Sequence, residues 1–119
     1  MKGLGATHVL PLELLNDKIM RKKVKEITGA DNIRLALNCV SGHTTAALVG
    51  LLDNGAHLVS YGAMSKQPLT LPTSAFIFKG LTAHGYMQNK WYKRKSREER
   101  MLLMNELATL MVNGQVNSN

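Results

Sequence analysis

The 119-residue sequence is short of several residue types, and each shortage excludes a class of protein. A single cysteine, Cys39, cannot form an internal disulfide, so a reducing compartment is expected. No apolar run approaches the roughly 20 residues that a membrane-spanning helix needs. Hydrophobic residues make up 45% of the chain and charged residues 19%, which is too apolar for a disordered protein. These features predict one globular domain.

Acidic residues are also scarce, with 8 Asp and Glu against 15 Lys and Arg and a net charge of +7. The basic residues cluster in two runs, residues 18–25 and 90–100, and the second run contains Trp91 and Tyr92. Basic residues beside aromatic ones are typical of nucleic-acid-binding modules. A solvated helix face explains the runs more simply, and attraction of an acidic carrier protein or of CoA phosphates is a third explanation. We predict no nucleic-acid partner, with a basic binding module left as an alternative.

Two kinds of ligand site have no signature in the sequence. The histidines His8, His43, His57 and His84 are not at metal-ligand spacing, and one cysteine cannot build a structural zinc site. No G-x-G-x-x-G loop is present either, although backbone N–H groups of such a loop hold the pyrophosphate of a dinucleotide. The sequence therefore predicts neither a metal site nor a phosphate cradle.

Hydrophobic periodicity predicts alternating strands and helices. The predicted strands cover residues 6–10, 33–40, 56–61 and 81–87, and the predicted helices cover 18–28, 44–53, about 74–79, and 97–112. The apolar run over 33–40 is typical of a strand that is covered on both faces. Ser96 and Glu99 have the spacing of a capping box, and the methionines of the last helix are expected to pack in a core. This order predicts an α/β fold with a partial doubly wound parallel sheet, whose ligands bind beyond the carboxyl ends of the strands.

Motifs at the predicted strand ends resemble those of a known family. They are L-A-L-N-C-V-S-G at 35–42, Y-G-A-M-S-K-Q-P at 61–68, F-I-F-K at 76–79 with G-Y-M at 85–87, and L-G-A-T-H-V at 4–9. Together they are similar to the trans-2-enoyl-CoA / enoyl-[acyl-carrier-protein] reductases of mitochondria, which belong to the medium-chain dehydrogenase/reductase superfamily. The resemblance implies that the sheet is the second half of a Rossmann-type domain.

The resemblance also implies an activity and a set of site residues. The family reduces the trans-2 double bond of enoyl-CoA or enoyl-acyl-carrier-protein with NADPH in mitochondrial fatty acid synthesis, so a mitochondrial location is expected although the chain shows no presequence. Position by position, it implies cofactor contacts at Tyr61, Gly62, Ala63, Met64, Tyr86, Met87 and Gln88, and an acyl-pocket contact at Trp91. Ala63 replaces a family glycine, and Tyr86-Met87 replaces a Phe-Trp pair. No catalytic residue is assigned.

The family's strand order 3-2-1-4-5-6 implies that residues 1–119 are a partial domain. They would supply strands 3, 4, 5 and 6 without the first two strands and without the amino-terminal catalytic domain. The exposed apolar edge that results invites association. We therefore expect no tight NADPH binding and no turnover by the isolated chain, and a possible homodimer through the last strand, as the resemblance implies. Alternatives are a non-catalytic truncated paralogue that acts by association, and a quinone-type reductase of the same superfamily.

Overall fold

The computed structural model describes residues 3, 5–16, 18–29 and 33–116. A 3₁₀ helix, Leu12–Asn16, precedes the regular elements. These follow in the order α1 (Lys18–Thr28), β1 (Leu35–Asn38), α2 (Thr44–Leu51), β2 (His57–Ser60), α3 (Thr73–Lys79), β3 (Thr82–Gly85), α4 (Gln88–Arg94) and α5 (Arg97–Val112). None of the helices in the described ranges is long and apolar enough to cross a membrane.

The three strands form one parallel sheet in the order β1-β2-β3. In its register Leu35 lies opposite His57, and His57 lies opposite Thr82. Parallel neighbours need a crossover connection, and α2 and α3 supply the two that this sheet requires. The alternation of helices with parallel strands confirms the α/β prediction.

The hydrophobic core lies on one face of the sheet. Ala36 of β1 and Leu58 of β2 point to this face, and Leu58 is completely buried. They pack with apolar residues of α2, α3 and the adjoining turns, namely Val49, Leu52, Ala56, Ala75 and Leu81. Burying such side chains stabilises the fold by about 1.5–3 kcal/mol for each large one, so this cluster holds the sheet against α2 and α3.

On the opposite face of the sheet, the part of the chain that the structure describes leaves the side chains of β1 exposed. Side chains alternate across a strand, and the alternate positions Leu35 and Leu37 of β1 are 59% and 64% exposed. The prediction that both faces of this strand are covered is therefore wrong for the described chain. The apolar run correctly indicated the strand, but a run of apolar residues cannot show whether a covering layer is present.

Most helix boundaries follow from local signals in the sequence. Helices α1 and α5 match their predicted bounds, and Gly29, with φ +73°, ends α1 in the left-handed region that glycine adopts easily. Helix α2 ends at Leu51, two residues before its predicted end, because Leu52 is extended with ψ 147°. Asn16 and Asp17 were a possible N-cap for α1; Asp17 lies outside the described residues, as does Leu4 of the motif at 4–9.

Among the residues that the structure describes, one local prediction fails and two short helices were not predicted. Residues 6–10 form no strand, because a strand needs a hydrogen-bonded neighbour and the described sheet contains β1, β2 and β3 only. The 3₁₀ helix Leu12–Asn16 and helix α4 were not predicted. The sequence of α4, QNKWYKR, has no apolar stripe that would have indicated a helix.

The chain divides into two compact units, one of residues 10–86 and one that contains α4 and α5. In the second unit the capping box at the start of α5 is present, with the Glu99 N–H donating to Ser96 Oγ and the Ser96 N–H donating to Glu99 Oε2. The Lys95 ammonium, 2.6 Å from Glu99, and the Ser96 N–H lower the pKa of the Glu99 carboxyl. Arg100 lies 4.5 Å from the ring centroid of Tyr92. Local hydrogen bonds and charges therefore define this helix start.

The methionines of α5 do not pack in a core. No residue of α5 is buried, and Met101, Met104 and Met111 are each about half exposed. Helical spacing showed correctly that these side chains share one side of the helix. It could not show that another surface covers that side.

Candidate functional site

The loops that leave β1 and β2 lie together at the carboxyl edge of the sheet. We call residues 39–42 the first exit loop and residues 61–67 the second exit loop. Three backbone hydrogen bonds join the second exit loop to the end of β1 and the first exit loop: Tyr61 N–H to Asn38 O (3.0 Å), Met64 N–H to Cys39 O (2.9 Å) and Ser65 N–H to Val40 O (2.9 Å). The two loops are thus held as one structure where parallel sheets bind their ligands.

The side chain of Asn38 hydrogen-bonds to both the first exit loop and the end of β2. Asn38 is 5% exposed; its Nδ2 donates to Ser60 Oγ at 3.1 Å, and its Oδ1 accepts from the Ser41 N–H at 3.1 Å. A buried amide is costly unless it is hydrogen-bonded, so these two bonds fix its orientation. No role was predicted for Asn38 from the sequence. Its signal was a polar residue at an inward-facing position of an otherwise apolar strand.

The first exit loop turns sharply into α2. Ser41 and Gly42 both have positive φ, at 71° and 77°, and the Thr45 N–H donates to Gly42 O at 3.3 Å. Positive φ is unusual for a residue other than glycine, and the bond from the Ser41 N–H to Asn38 holds it in this conformation. The turn therefore depends on the buried Asn38 amide.

Gly62 is required by the protein's own backbone. A Cβ at this position would lie 3.0 Å from Cys39 O and 3.3 Å from Cys39 Cα. The family motif implies a cofactor contact at Gly62, and that role stays a prediction; the close neighbour in the structure is Cys39 of the first exit loop. The missing side chain is what lets the two exit loops approach each other.

The second exit loop and the residue after β3 present apolar groups to solvent. Tyr61 is 52% exposed, Met64 is 77% exposed and Tyr86 is 42% exposed, and the Tyr86 N–H donates to Ser60 O at 2.9 Å. Within the described ranges, the N–H groups of Gly62 and Ala63 donate to no other group. This edge therefore offers a ligand both apolar surface and hydrogen-bond donors.

The Tyr61 hydroxyl interacts with the Cys39 side chain of the first exit loop. This interaction raises the pKa of Tyr61 above its ordinary value of 10.0. Tyr61 is therefore a neutral phenol across the physiological pH range. As a neutral group it can donate or accept a hydrogen bond, and it adds no charge to the edge.

A family model described as "Zinc-binding dehydrogenase" matches residues 1–106. This chain belongs to that family. The enoyl-[acyl-carrier-protein] reductase, mitochondrial, of Yarrowia lipolytica is 43% identical over 105 residues, which are 88% of this chain and 28% of that protein. This likeness confirms the resemblance that the strand-end motifs indicated.

Solved structures agree with the family assignment. The mitochondrial 2-enoyl thioester reductase Etr1p/Etr2p heterodimer from Candida tropicalis matches with a TM-score of 0.88 and 32% identity, over 99% of this chain and 33% of that one. The Etr1p/NADP/crotonyl-CoA complex matches with a TM-score of 0.87 and 31% identity, over 98% of this chain and 32% of that one. The fold is thus the nucleotide-binding half that the sequence predicted, and the chain spans about a third of the length of these relatives.

The described residues do not fit the metal in the family's name. No group of three His, Cys, Asp or Glu side chains in the described ranges is close enough to hold a metal ion. A protein zinc site uses three or four such ligands. The described residues therefore supply no set of ligands for a zinc ion.

The remaining assigned residues lie in the unit of α4 and α5. Met87 is the N-cap of α4 and is 53% exposed, Gln88 is the first residue of the helix, and Trp91 is half-buried. The Trp91 N–H donates to Met87 O at 3.1 Å. Their roles at the cofactor and the acyl group stay predictions from the family motif.

Replacing Gly62 with alanine should destabilise the unit of residues 10–86 by about 1–3 kcal/mol, because the new methyl group would overpack against the Cys39 backbone. Urea denaturation measures this loss. Gly85→Ala is the matched control, since a Cβ there meets nothing within 4 Å, and it should change the free energy of unfolding by less than about 1 kcal/mol. Equal losses in the two variants would contradict the packing role of Gly62.

Proposed function

We propose that this chain forms the nicotinamide side of the cofactor-binding domain of an NADPH-dependent 2-enoyl thioester reductase. The observation that carries the proposal is the second exit loop, which hydrogen bonds to the first exit loop hold at the carboxyl edge of the parallel sheet. Doubly wound sheets bind their ligands at this edge. Relatives named enoyl-[acyl-carrier-protein] reductase and a structural neighbour in complex with NADP and crotonyl-CoA support the choice of activity.

The edge fits the nicotinamide end of the cofactor by its chemistry. The exposed Tyr61, Met64 and Tyr86 side chains offer apolar surface to a flat ring. The N–H groups of Gly62 and Ala63 offer donors to polar groups such as a carboxamide. NADPH, when bound, supplies the hydride for the reduction of the carbon–carbon double bond, while these residues bind and orient it.

We further propose that residues 1–119 are the carboxy-terminal part of a longer reductase and a partial Rossmann-type domain. Supporting this, the sequence contains no glycine-rich phosphate loop, and the chain spans about a third of its relatives. The exposed Leu35 and Leu37 also fit a sheet whose second face is covered by further chain. The isolated chain is then inactive and binds NADPH only weakly.

The remaining elements of the proposal rest on the names and motifs of the relatives. The substrate is an enoyl-CoA or enoyl-acyl-carrier-protein, the location is mitochondrial, Trp91 lines the acyl pocket, and Met87 and Gln88 contact the cofactor. A non-catalytic paralogue that works by association is the second candidate, because the open face and edge of the sheet suit a partner. A glycine-rich phosphate loop encoded in frame before Met1 would favour the enzyme over this candidate.

We also propose that two copies pair through β3. This strand lies at an edge of the described sheet, and all four of its residues are exposed. The N–H groups of Thr82 and Tyr86 donate inward to Ala56 O and Ser60 O. Because backbone groups alternate in direction along a strand, the N–H of Ala83 faces outward and can bond to a second chain.

Half-molecules of the cofactor test the proposed site. In an NMR titration, reduced nicotinamide mononucleotide should shift the amide signals of Gly62, Ala63 and Tyr86, whereas adenosine 2′,5′-bisphosphate should leave them unchanged. Met64→Ala should weaken the response, since it removes exposed surface at the edge. Met101→Ala, which removes an exposed methionine of α5, should not.

The reverse preference, or no response to either half, would contradict the proposed site. The isolated chain should also show no NADPH-dependent reduction of crotonyl-CoA and no micromolar affinity for NADPH. Micromolar binding, measured from Trp91 or NADPH fluorescence, would overturn the proposal that the phosphate cradle lies elsewhere in the enzyme.

Ala83→Pro tests the dimer. Proline removes the outward N–H and leaves the inward bonds of Thr82 and Tyr86 in place, as edge strands tolerate. Sedimentation velocity should show a concentration-dependent dimer for the wild type and for the control Ala83→Val, and a monomer for Ala83→Pro. A wild type that stays monomeric at every concentration would contradict pairing through β3.

A further inference from the structure

Two histidines meet on the open face of the sheet. His57 lies on β2 and His84 lies on β3, 27 residues further along the chain. In the parallel register Val59 is opposite His84 and His57 is opposite Thr82, so the two histidines are diagonal neighbours. Both belong to the positions that alternate with the buried Leu58, and both are exposed. The pairing of β2 with β3 therefore brings together two imidazoles that are far apart in the sequence.

The ring geometry is close and specific. His57 Nδ1 lies 2.9 Å from His84 Nε2, the ring centroids are 5.1 Å apart, and the planes are inclined by 26°. At this distance one ring nitrogen donates its proton to the lone pair of the other. The backbones of two paired strands fix the Cα positions, so rotation about the side-chain bonds is the movement needed to turn both lone pairs toward a common point.

Two imidazole nitrogens on neighbouring strands can occupy neighbouring positions around one ion. The observed 2.9 Å is the length of the hydrogen bond between the two rings, and it shows that the two nitrogens can approach this closely. Nitrogens that bind one ion at about 2.0–2.1 Å are ~2.9 Å apart in neighbouring square-planar positions and ~3.3 Å apart in a tetrahedral site. Cu²⁺ and Ni²⁺ favour square-planar or tetragonal coordination by nitrogen, whereas Zn²⁺ favours the tetrahedron, and Cu²⁺ stands highest in the affinity order of these ions.

We propose that His57 and His84 form a two-histidine site for a divalent ion of the square-planar type, Cu²⁺ or Ni²⁺. The ion replaces the shared proton between Nδ1 of His57 and Nε2 of His84, and water fills its other positions. With only two protein ligands the site is exchangeable, unlike a structural zinc centre with four. The proposal concerns the open face of the sheet and is independent of the exit loops.

The test is calorimetric titration of the 119-residue chain with Cu²⁺, Ni²⁺ and Zn²⁺ at slightly alkaline pH, in a buffer that does not bind metal. Cu²⁺ and Ni²⁺ should each bind more tightly than Zn²⁺. His57→Ala and His84→Ala should each weaken Cu²⁺ binding by on the order of 100-fold, because each leaves one ligand where two were linked. The control His43→Ala removes an exposed histidine elsewhere and should leave the affinity unchanged.

Electron paramagnetic resonance of the wild type with one equivalent of Cu²⁺ keeps the test decisive if a variant folds poorly. Hyperfine coupling to two imidazole nitrogens is expected, and coupling to one nitrogen or none would overturn the proposal. So would unchanged Cu²⁺ affinity in both histidine variants, an equal loss in His43→Ala, or a preference for Zn²⁺.

Discussion

The candidate site depends on the hydrogen bonds that hold the two exit loops together. The buried Asn38 amide at the end of β1 is part of this network. Asn38 joins the turn at Ser41 to the end of β2 at Ser60, and three backbone bonds continue this connection to residue 65. Short loops at a sheet edge have many conformations available, and ordering each residue costs about 1–2 kcal/mol of entropy. These bonds offset that cost before any ligand arrives, so the edge is preorganised.

The contact between the exit loops also explains the glycines at positions 42 and 62. Gly62 has no side chain because the Cys39 backbone occupies the space, and Gly42 follows a residue that already has positive φ. Both glycines are therefore required by the packing and backbone conformation of the protein itself. Two requirements therefore determine the residues of the family motif at this edge. One is the contact between the exit loops, and the other is the surface that we propose for the cofactor.

The sequence predicted the elements with strong local or periodic signals and failed where packing decides. Helices α1 and α5 and the strand-end positions of Tyr61 and Tyr86 followed from capping, periodicity and motif. Residues 6–10 form no strand, and Leu37 and the methionines of α5 are exposed, because partner surfaces leave no trace in the sequence of the segment itself. Asn38 and the His57–His84 pair depend on contacts between segments 22 and 27 residues apart, which periodicity within one segment cannot detect.

Amide hydrogen exchange of the chain without ligand tests the preorganised edge most directly. The N–H groups of Met64 and Ser65 lie in a loop but donate to Cys39 and Val40, so they should be protected as strongly as those of β2. Asn38→Ala should lose that protection while the N–H groups at the start of α5 keep theirs. Exchange of Met64 and Ser65 in the wild type at the rate of an open loop would contradict the account, since the edge would then be ordered only by its ligand.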